Sequence, residues 1–240
     1  MLLVLWDVDG TLVASGGHGR HAFEEAFQEV VGRAPEWVDY AGRTDHQIAL
    51  EMLRGSDLRS DPLEHLPALL DQLVVKMAAR KEALAAEGHV YPGVPETLKA
   101  LHEADGVINS LLTGNLEANA AVKVGAFGLD RWLDFEAGAY GSDPHERRSD
   151  LVAIARERAA ARLAQAPGGA RGAAMASEPT GVVLVGDTPL DVLAAREAGA
   201  RAVAVATGFA DLDALRESEP DALLQDLSDT DAAIRAITST

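Results

Sequence analysis

The chain has 240 residues, enough to bury a full core in one or two domains. Hydrophobic residues make up 48% and exclude wholesale disorder, while the absence of cysteine excludes disulfides and thiolate metal sites and fits a reducing, cytoplasmic setting. Lys plus Arg number 21 against 38 Asp plus Glu, and the resulting formal charge of −17 repels nucleic acid and anionic lipid, so neither nucleic acid nor membrane is an expected partner.

The first element expected is a buried strand at Leu2–Trp6, a continuous apolar run that meets Asp7 and Asp9. It has no basic residues ahead of it and is too short for a leader peptide or a membrane span. From Ser15 to His89 the periodicity is helical, with no convincing strand; Gly16-Gly17 opens this stretch and Tyr91-Pro92-Gly93 closes it. A crossover between parallel strands needs about a dozen residues. The excess predicts an inserted helical cap over residues 16–89, with residues 1–15 and 90–240 forming the core. Trp37 and Tyr40 are expected in the core of that cap.

After Pro95 helix and strand alternate. Strands are expected at Gly106–Leu112, Val182–Gly186 and Arg201–Ala206, with a weaker one at Phe135–Tyr140 and a short edge at Ala222–Leu224. The main runs are continuous rather than alternating, as strands covered on both faces require. The fold expected is therefore α/β: a doubly wound, Rossmann-like parallel sheet with an inserted helical cap. The Gly- and Pro-containing stretch Ala166–Thr180 predicts a surface loop. No internal repeat occurs.

Three strand ends carry polar residues suited to one chemistry. Asp7 and Asp9 follow the first strand, and residues i and i+2 of an extended segment project to the same side. Both carboxylates then reach the crevice at the carboxyl end of the sheet, and Gly10 permits a sharp turn there. A calcium loop would need further oxygen ligands at alternate positions, which Thr11, Val13 and Ser15 do not supply in the required pattern. The second strand ends Thr113-Gly114-Asn115, which reads either as a hydroxyl and free N–H groups for an anion or as an ordinary cap with Asn115 at the N-cap. The fourth ends Gly186-Asp187-Thr188-Pro189-Leu190-Asp191, where Thr188 suits an N-cap, Pro189 the first helical position and Asp191 the third. Four carboxylates converging on one edge repel one another unless a cation is present. Oxygen ligands without His or Cys select Mg²⁺.

In this order and spacing the residues resemble the haloacid dehalogenase superfamily. Asp7-Val8-Asp9-Gly10-Thr11-Leu12 is similar to its first motif, Thr113-Gly114-Asn115 to its second, and Gly186 to Asp191 to its fourth. Tyr91-Pro92-Gly93-Val94 resembles the return from cap to core in members with a helical cap. The resemblance implies a phosphohydrolase acting on a small phosphorylated metabolite, as a monomer or homodimer. It implies that Asp7 attacks phosphorus to form an aspartyl-phosphate, and that Asp9 acts as general acid and then general base. It further implies Mg²⁺ held by Asp7, the main-chain carbonyl of Asp9, and Asp187, with Asp191 supporting them. Thr113, Gly114 and Asn115 would bind phosphoryl oxygens.

One departure stands out. The third motif of the family usually supplies a Lys, yet no Lys follows Lys123. An Arg of the pair Arg147-Arg148 must take its place, and Arg148 is preferred because Leu151 and Val152 mark the buried side of the helix that follows. In the cap, Ala41-Gly42-Arg43-Thr44-Asp45-His46 resembles the substrate-facing loop of phosphoglycolate-phosphatase-like members, which makes Arg43 a candidate for a substrate carboxylate or second phosphate. Three alternatives are set aside on residues. A β-phosphoglucomutase-type mutase would carry an Arg at the place of Asp45; a dehalogenase lacks the equivalent of Asp9; a phosphoreceiver domain has its acidic pair adjacent.

Overall fold

The computed structural model describes residues 1–36, 38–165 and 178–239. In chain order, β1 (Leu2–Trp6) and a short β2 (Val13–Ala14) precede four helices: α1 (His18–Val31), α2 (Asp45–Arg54), α3 (Pro62–Ala79) and α4 (Lys81–Glu87). Then come β3 (His89–Val90), α5 (Val94–Glu103), β4 (Val107–Thr113), α6 (Glu117–Gly125), β5 (Ala139–Tyr140), α7 (Arg148–Gln165) and β6 (Gly181–Gly186). The chain closes with α8 (Pro189–Glu197), β7 (Arg201–Val205), α9 (Leu212–Glu217), β8 (Ala222–Leu224) and α10 (Thr230–Thr238). The main sheet runs β5-β4-β1-β6-β7-β8, with every neighbouring pair parallel.

Strand β1 explains why the apolar runs are continuous. Val4 and Trp6 enter one cluster with Leu98 and Leu101 of α5, Val124 of α6 and Ile237 of α10. Leu3 and Leu5 enter a second with Leu151 and Ala155 of α7, Val192 of α8 and Leu215 of α9. Strands β6 and β7 divide the same way, Val183, Val185, Val203 and Val205 to one side, Val182, Leu184, Ala202 and Ala204 to the other. Both faces are covered, so a polar residue in these runs needs a partner. Asn109 of β4 has three: its Oδ1 accepts from the Trp6 indole at 2.5 Å, and its amide donates to the carbonyls of Leu98 and Trp132.

Helices α1 to α4 bury a third cluster, which includes Phe27, Met52, Leu69, Leu73, Met77 and Leu84 and is closed on one side by Leu116 and Val122 of the α6 region. Tyr40 packs against its margin, edge-on to Phe23 with ring centroids 5.6 Å apart. Trp37 and most of the Ala166–Thr180 loop lie outside the described residues. Among the described residues no helix is long and apolar enough to cross a membrane.

The structure departs from the sequence expectations in three places. The weak strand at Phe135–Tyr140 survives only as Ala139–Tyr140, because Phe135–Ala137 form a 3₁₀ turn started by the Asp134 carboxylate accepting from Glu136 N–H. Strands β2 and β3, not foreseen, pair antiparallel with Val13 opposite Val90 and Ala14 opposite His89. Two residues per strand are too few to leave an alternating pattern. Finally, Asn115 is not the N-cap of α6; that position is Leu116, which has no capping side chain of its own.

Candidate active site

The carboxyl ends of β1 and β4 and the start of α7 surround one cavity of about 420 Å³, roofed by residues of α1 and by the loop leading into α2. Asp7 continues the β1–β6 pairing through its N–H to the Val185 carbonyl at 2.9 Å. This backbone bond fixes its carboxylate at the sheet edge. Gly10 follows with φ of 85°, a conformation in which side chains are strained, and a Cβ there would overlap the Asp187 carboxylate. A Cβ at Gly208 would overlap the same group. Asp187 is thus seated between two glycine backbones, accepting from Thr11 Oγ1 at 3.0 Å and from the Phe209 N–H at 2.8 Å.

Asp191 forms the expected N-terminal arrangement of α8. Thr188 Oγ1 accepts from the Asp191 N–H, while Asp191 Oδ2 accepts from the Thr188 N–H at 3.0 Å and its hydroxyl at 2.7 Å. The other oxygen of Asp191, Oδ1, accepts from Arg148 Nη2 at 2.5 Å. With both oxygens engaged, Asp191 is held as a support for its neighbours. Arg148 Nη2 also lies 3.1 Å from Asp7 Oδ2. Of the two candidate arginines, then, Arg148 faces the crevice. Arg147 is 67% exposed and pairs with Asp150 and Glu197 at 3.8 and 3.7 Å.

Asp7, Asp187 and Asp191 each bring a carboxylate oxygen within 4.8 Å of the others. Burial pushes the Asp7 carboxyl up to about 6, with the Asp191 charge adding to it and Arg148 opposing. Burial likewise pushes Asp187 up to about 8, helped by Asp191 and Asp7. For Arg148 the carboxylates outweigh burial and hold the guanidinium charged. One arginine against three buried carboxyls leaves the cluster short of positive charge. An all-oxygen donor set with that deficit fits a hard divalent cation.

Asp9 does not share that cluster through its side chain. Its Oδ1 accepts from Ser15 Oγ at 2.6 Å, and its Oδ2 from Asn115 Nδ2 at 2.8 Å and Lys123 Nζ at 2.5 Å. Burial alone would raise its pKa, but the Lys123 charge and these hydrogen bonds prevail and lower it. Lys123 also donates to Asn115 Oδ1 at 2.6 Å. Thr113 Oγ1 accepts from the Asn115 side-chain amide at 2.8 Å, which leaves its own O–H to donate into the cavity.

Gly114 lines the cavity and also receives the roof. A Cβ there would overlap the Arg43 carbonyl, and its own carbonyl accepts from the Asp45 N–H at 2.7 Å. Asp45 Oδ2 accepts from the Leu116 N–H at 2.8 Å and Asn119 Nδ2 at 2.9 Å, so a residue of the helical insert caps α6. Arg43 borders the cavity as well, but its guanidinium is engaged by Glu51 and by the Asp39 carbonyl at 3.2 Å.

Lys123 and Asp45 are the site residues that motif reading missed. The available signal was spacing: Asn119 and Lys123 stand four apart on one face of α6, following Asn115 by four and eight residues. A lysine and two asparagines at that spacing carry no motif that singles them out.

The chain matches the family model described as "haloacid dehalogenase-like hydrolase" over residues 1–199. It is 30% identical over 239 residues to the protein named "Probable phosphatase IndB" of Dickeya dadantii, covering 98% of this chain and 94% of that one. It is 28% identical over 234 residues to phosphoglycolate phosphatase 1 of Pseudomonas aeruginosa, covering 95% and 77%. Among solved structures, a hydrolase from Pseudomonas syringae superposes over 100% of both chains with a TM-score of 0.69 at 19% identity. CbbY from Rhodobacter sphaeroides, in complex with phosphate, covers 94% of each with a TM-score of 0.64 at 20% identity. At those identities the structural likeness speaks for the fold.

Proposed function

We propose, for a chain that belongs to the haloacid dehalogenase-like hydrolases and is a phosphoric monoester hydrolase, a Mg²⁺-dependent route through an aspartyl-phosphate on Asp7. The observation that carries it is the Asp7 carboxylate, fixed at a sheet edge, adjoining Arg148 on one side and Asp187 on the other. Residues 1–15 and 90–240 act as the catalytic core, and residues 16–89 as the cap. Asp7, Asp187 and the Asp9 main-chain carbonyl would hold the ion. When bound, Mg²⁺ offsets the charge of phosphoryl oxygens and keeps the Asp7 carboxyl ionised.

In the first half-reaction a carboxylate oxygen of Asp7 attacks phosphorus and the P–O bond to the alcohol breaks. Arg148 provides a fixed positive charge beside Asp7, and the Thr113 hydroxyl donates to a phosphoryl oxygen. Asp9 protonates the departing alkoxide. In the second half-reaction Asp9, again a carboxylate, takes a proton from water as that water attacks phosphorus, which releases phosphate and restores Asp7. The pairing with Lys123 favours the ionised Asp9 that this second step uses. Lys123 is also the ammonium donor in direct contact with Asp9 when the first step calls for a proton.

The test is Asp7→Asn, nearly isosteric but unable to form the acyl phosphate. Turnover should vanish, acid-quenched protein should carry no phosphate, and the far-UV spectrum should be unchanged. Retention of about a tenth of the wild-type rate would overturn the role of Asp7, since loss of covalent catalysis costs far more.

A further inference from the structure

Four cationic side chains line the cavity, and each already faces a carboxylate of the protein. Arg20 Nε lies 2.8 Å from Glu24, Lys123 lies 2.5 Å from Asp9, Arg148 bridges Asp7 and Asp191, and Arg43 pairs with Glu51. The second terminal nitrogen of Arg43 is taken by the Asp39 carbonyl. A carboxylate or second phosphate on the substrate would therefore share an arginine that already pairs with a protein acid, Glu51 or Glu24. That acid would stand beside the incoming anion as a like charge, in a chain of net charge −17.

An uncharged group meets different surroundings. Beyond the residues that surround the phosphoryl position, the lining includes Phe23, Tyr40, Ile48, Tyr91 and Phe209. Phe23 and Ile48 are buried in the helical insert, whereas Phe209 is 60% exposed and follows Gly208 at the Asp187 seat. A volume of about 420 Å³ is well above what a phosphoryl group fills and within the range of organic-ligand cavities.

We infer that the alcohol half of the substrate is uncharged and largely apolar, and that the site selects against phosphate esters bearing a second anionic group. This rests on the phosphohydrolase reading above and narrows it to a substrate class. It also separates this chain from the activities printed for several relatives, phosphoglycolate phosphatase and pyrophosphatase.

The experiment measures phosphate release by the full-length protein with Mg²⁺ from benzyl phosphate, ethyl phosphate, 2-phosphoglycolate and pyrophosphate. Benzyl phosphate and 2-phosphoglycolate have leaving alcohols of comparable acidity, so their ratio reports recognition. Benzyl phosphate should exceed each of the other three in kcat/KM by about tenfold or more, the scale set by apolar recognition. Phe209→Ala, at an exposed position that does not support the fold, should shrink the benzyl-to-ethyl ratio by about threefold or more. Equal or better turnover of 2-phosphoglycolate or pyrophosphate would overturn the substrate class and leave the phosphohydrolase reading standing. An unchanged ratio in Phe209→Ala would also overturn it. Absence of phosphate release from all four would remove the phosphohydrolase reading and this inference together.

Discussion

Lys123 donates to Asp9 Oδ2 at 2.5 Å, joining two residues 114 positions apart and placing a buried ammonium on the side chain assigned to proton transfer. Asn115 bridges the pair, donating to Asp9 and accepting from Lys123. The three groups form a closed triangle separate from the acidic cluster around Asp187. The site accordingly has two electrostatic compartments, one short of positive charge and one balanced.

Lys123→Met tests the balanced compartment. Without the ammonium, burial acts on Asp9 with less opposition and its carboxyl pKa rises from its lowered value. Turnover should fall by about tenfold or more, given what misplaced acid–base groups cost. The rise in Asp9 pKa should be visible by ¹³C titration of the carboxyl, assigned with Asp9→Asn. An unmoved titration would mean that Lys123 only packs.

The pair Arg147 and Arg148 supplies a contrast between neighbours. Arg148→Ala should reduce kcat/KM by about a hundredfold, the scale of losing an electrostatic donor at the reacting centre. Arg147→Ala, on a mostly exposed side chain with long ion pairs, should cost less than about threefold. Arg148→Lys should recover part of the loss, because charge survives while the planar fork that reaches Asp7 and Asp191 does not. A larger defect in Arg147→Ala would reverse the assignment.

The acidic cluster makes stability depend on pH and metal together. The folded values of Asp7, about 6, and Asp187, about 8, stand above the ordinary 3.8, so the folded chain holds protons that the unfolded chain releases. Their contribution is complete below pH about 4 and is lost as pH rises through 6 and 8. Asp9 has the opposite sign, and its contribution changes only below the ordinary value, outside this window. Chelator-treated protein should melt at a lower temperature at pH 8 than at pH 6. Added Mg²⁺ should raise the melting temperature more at pH 8, because the ion stabilises the carboxylates that have lost their protons. An equal rise at both values would detach the metal from these carboxyls.

The parts legible in the sequence are those with a local cause. The strands at Leu2–Trp6 and Arg201–Val205 announce themselves because both faces are covered and every residue but the leading Arg201 is apolar. Asp191 was legible because Thr188 and Pro189 define a helix start whose third position turns back to the strand end. The contacts of Asp45 depend on where α6 meets the start of α2, and the contact of Lys123 with Asp9 on where α6 meets the turn after β1, relations set by packing between residues 74 and 114 positions apart. Arg43 shows the converse: its sequence context pointed to an anion, and Glu51, one element further on, occupies it.

The unforeseen pairing of Val13–Ala14 with His89–Val90 constrains how the roof of the site can open. Two independent tethers would let α1 to α4 tumble through many orientations over the sheet. The pairing instead joins the two connections into one ribbon, flanked by Gly16 and Gly88. Any movement of the roof away from the sheet would part Asp45 from Gly114 and α6, and the Gly42 carbonyl from Arg148 at 3.5 Å. Uncovering the cavity in that way would also release a contact on Arg148, the cation that pairs with Asp7.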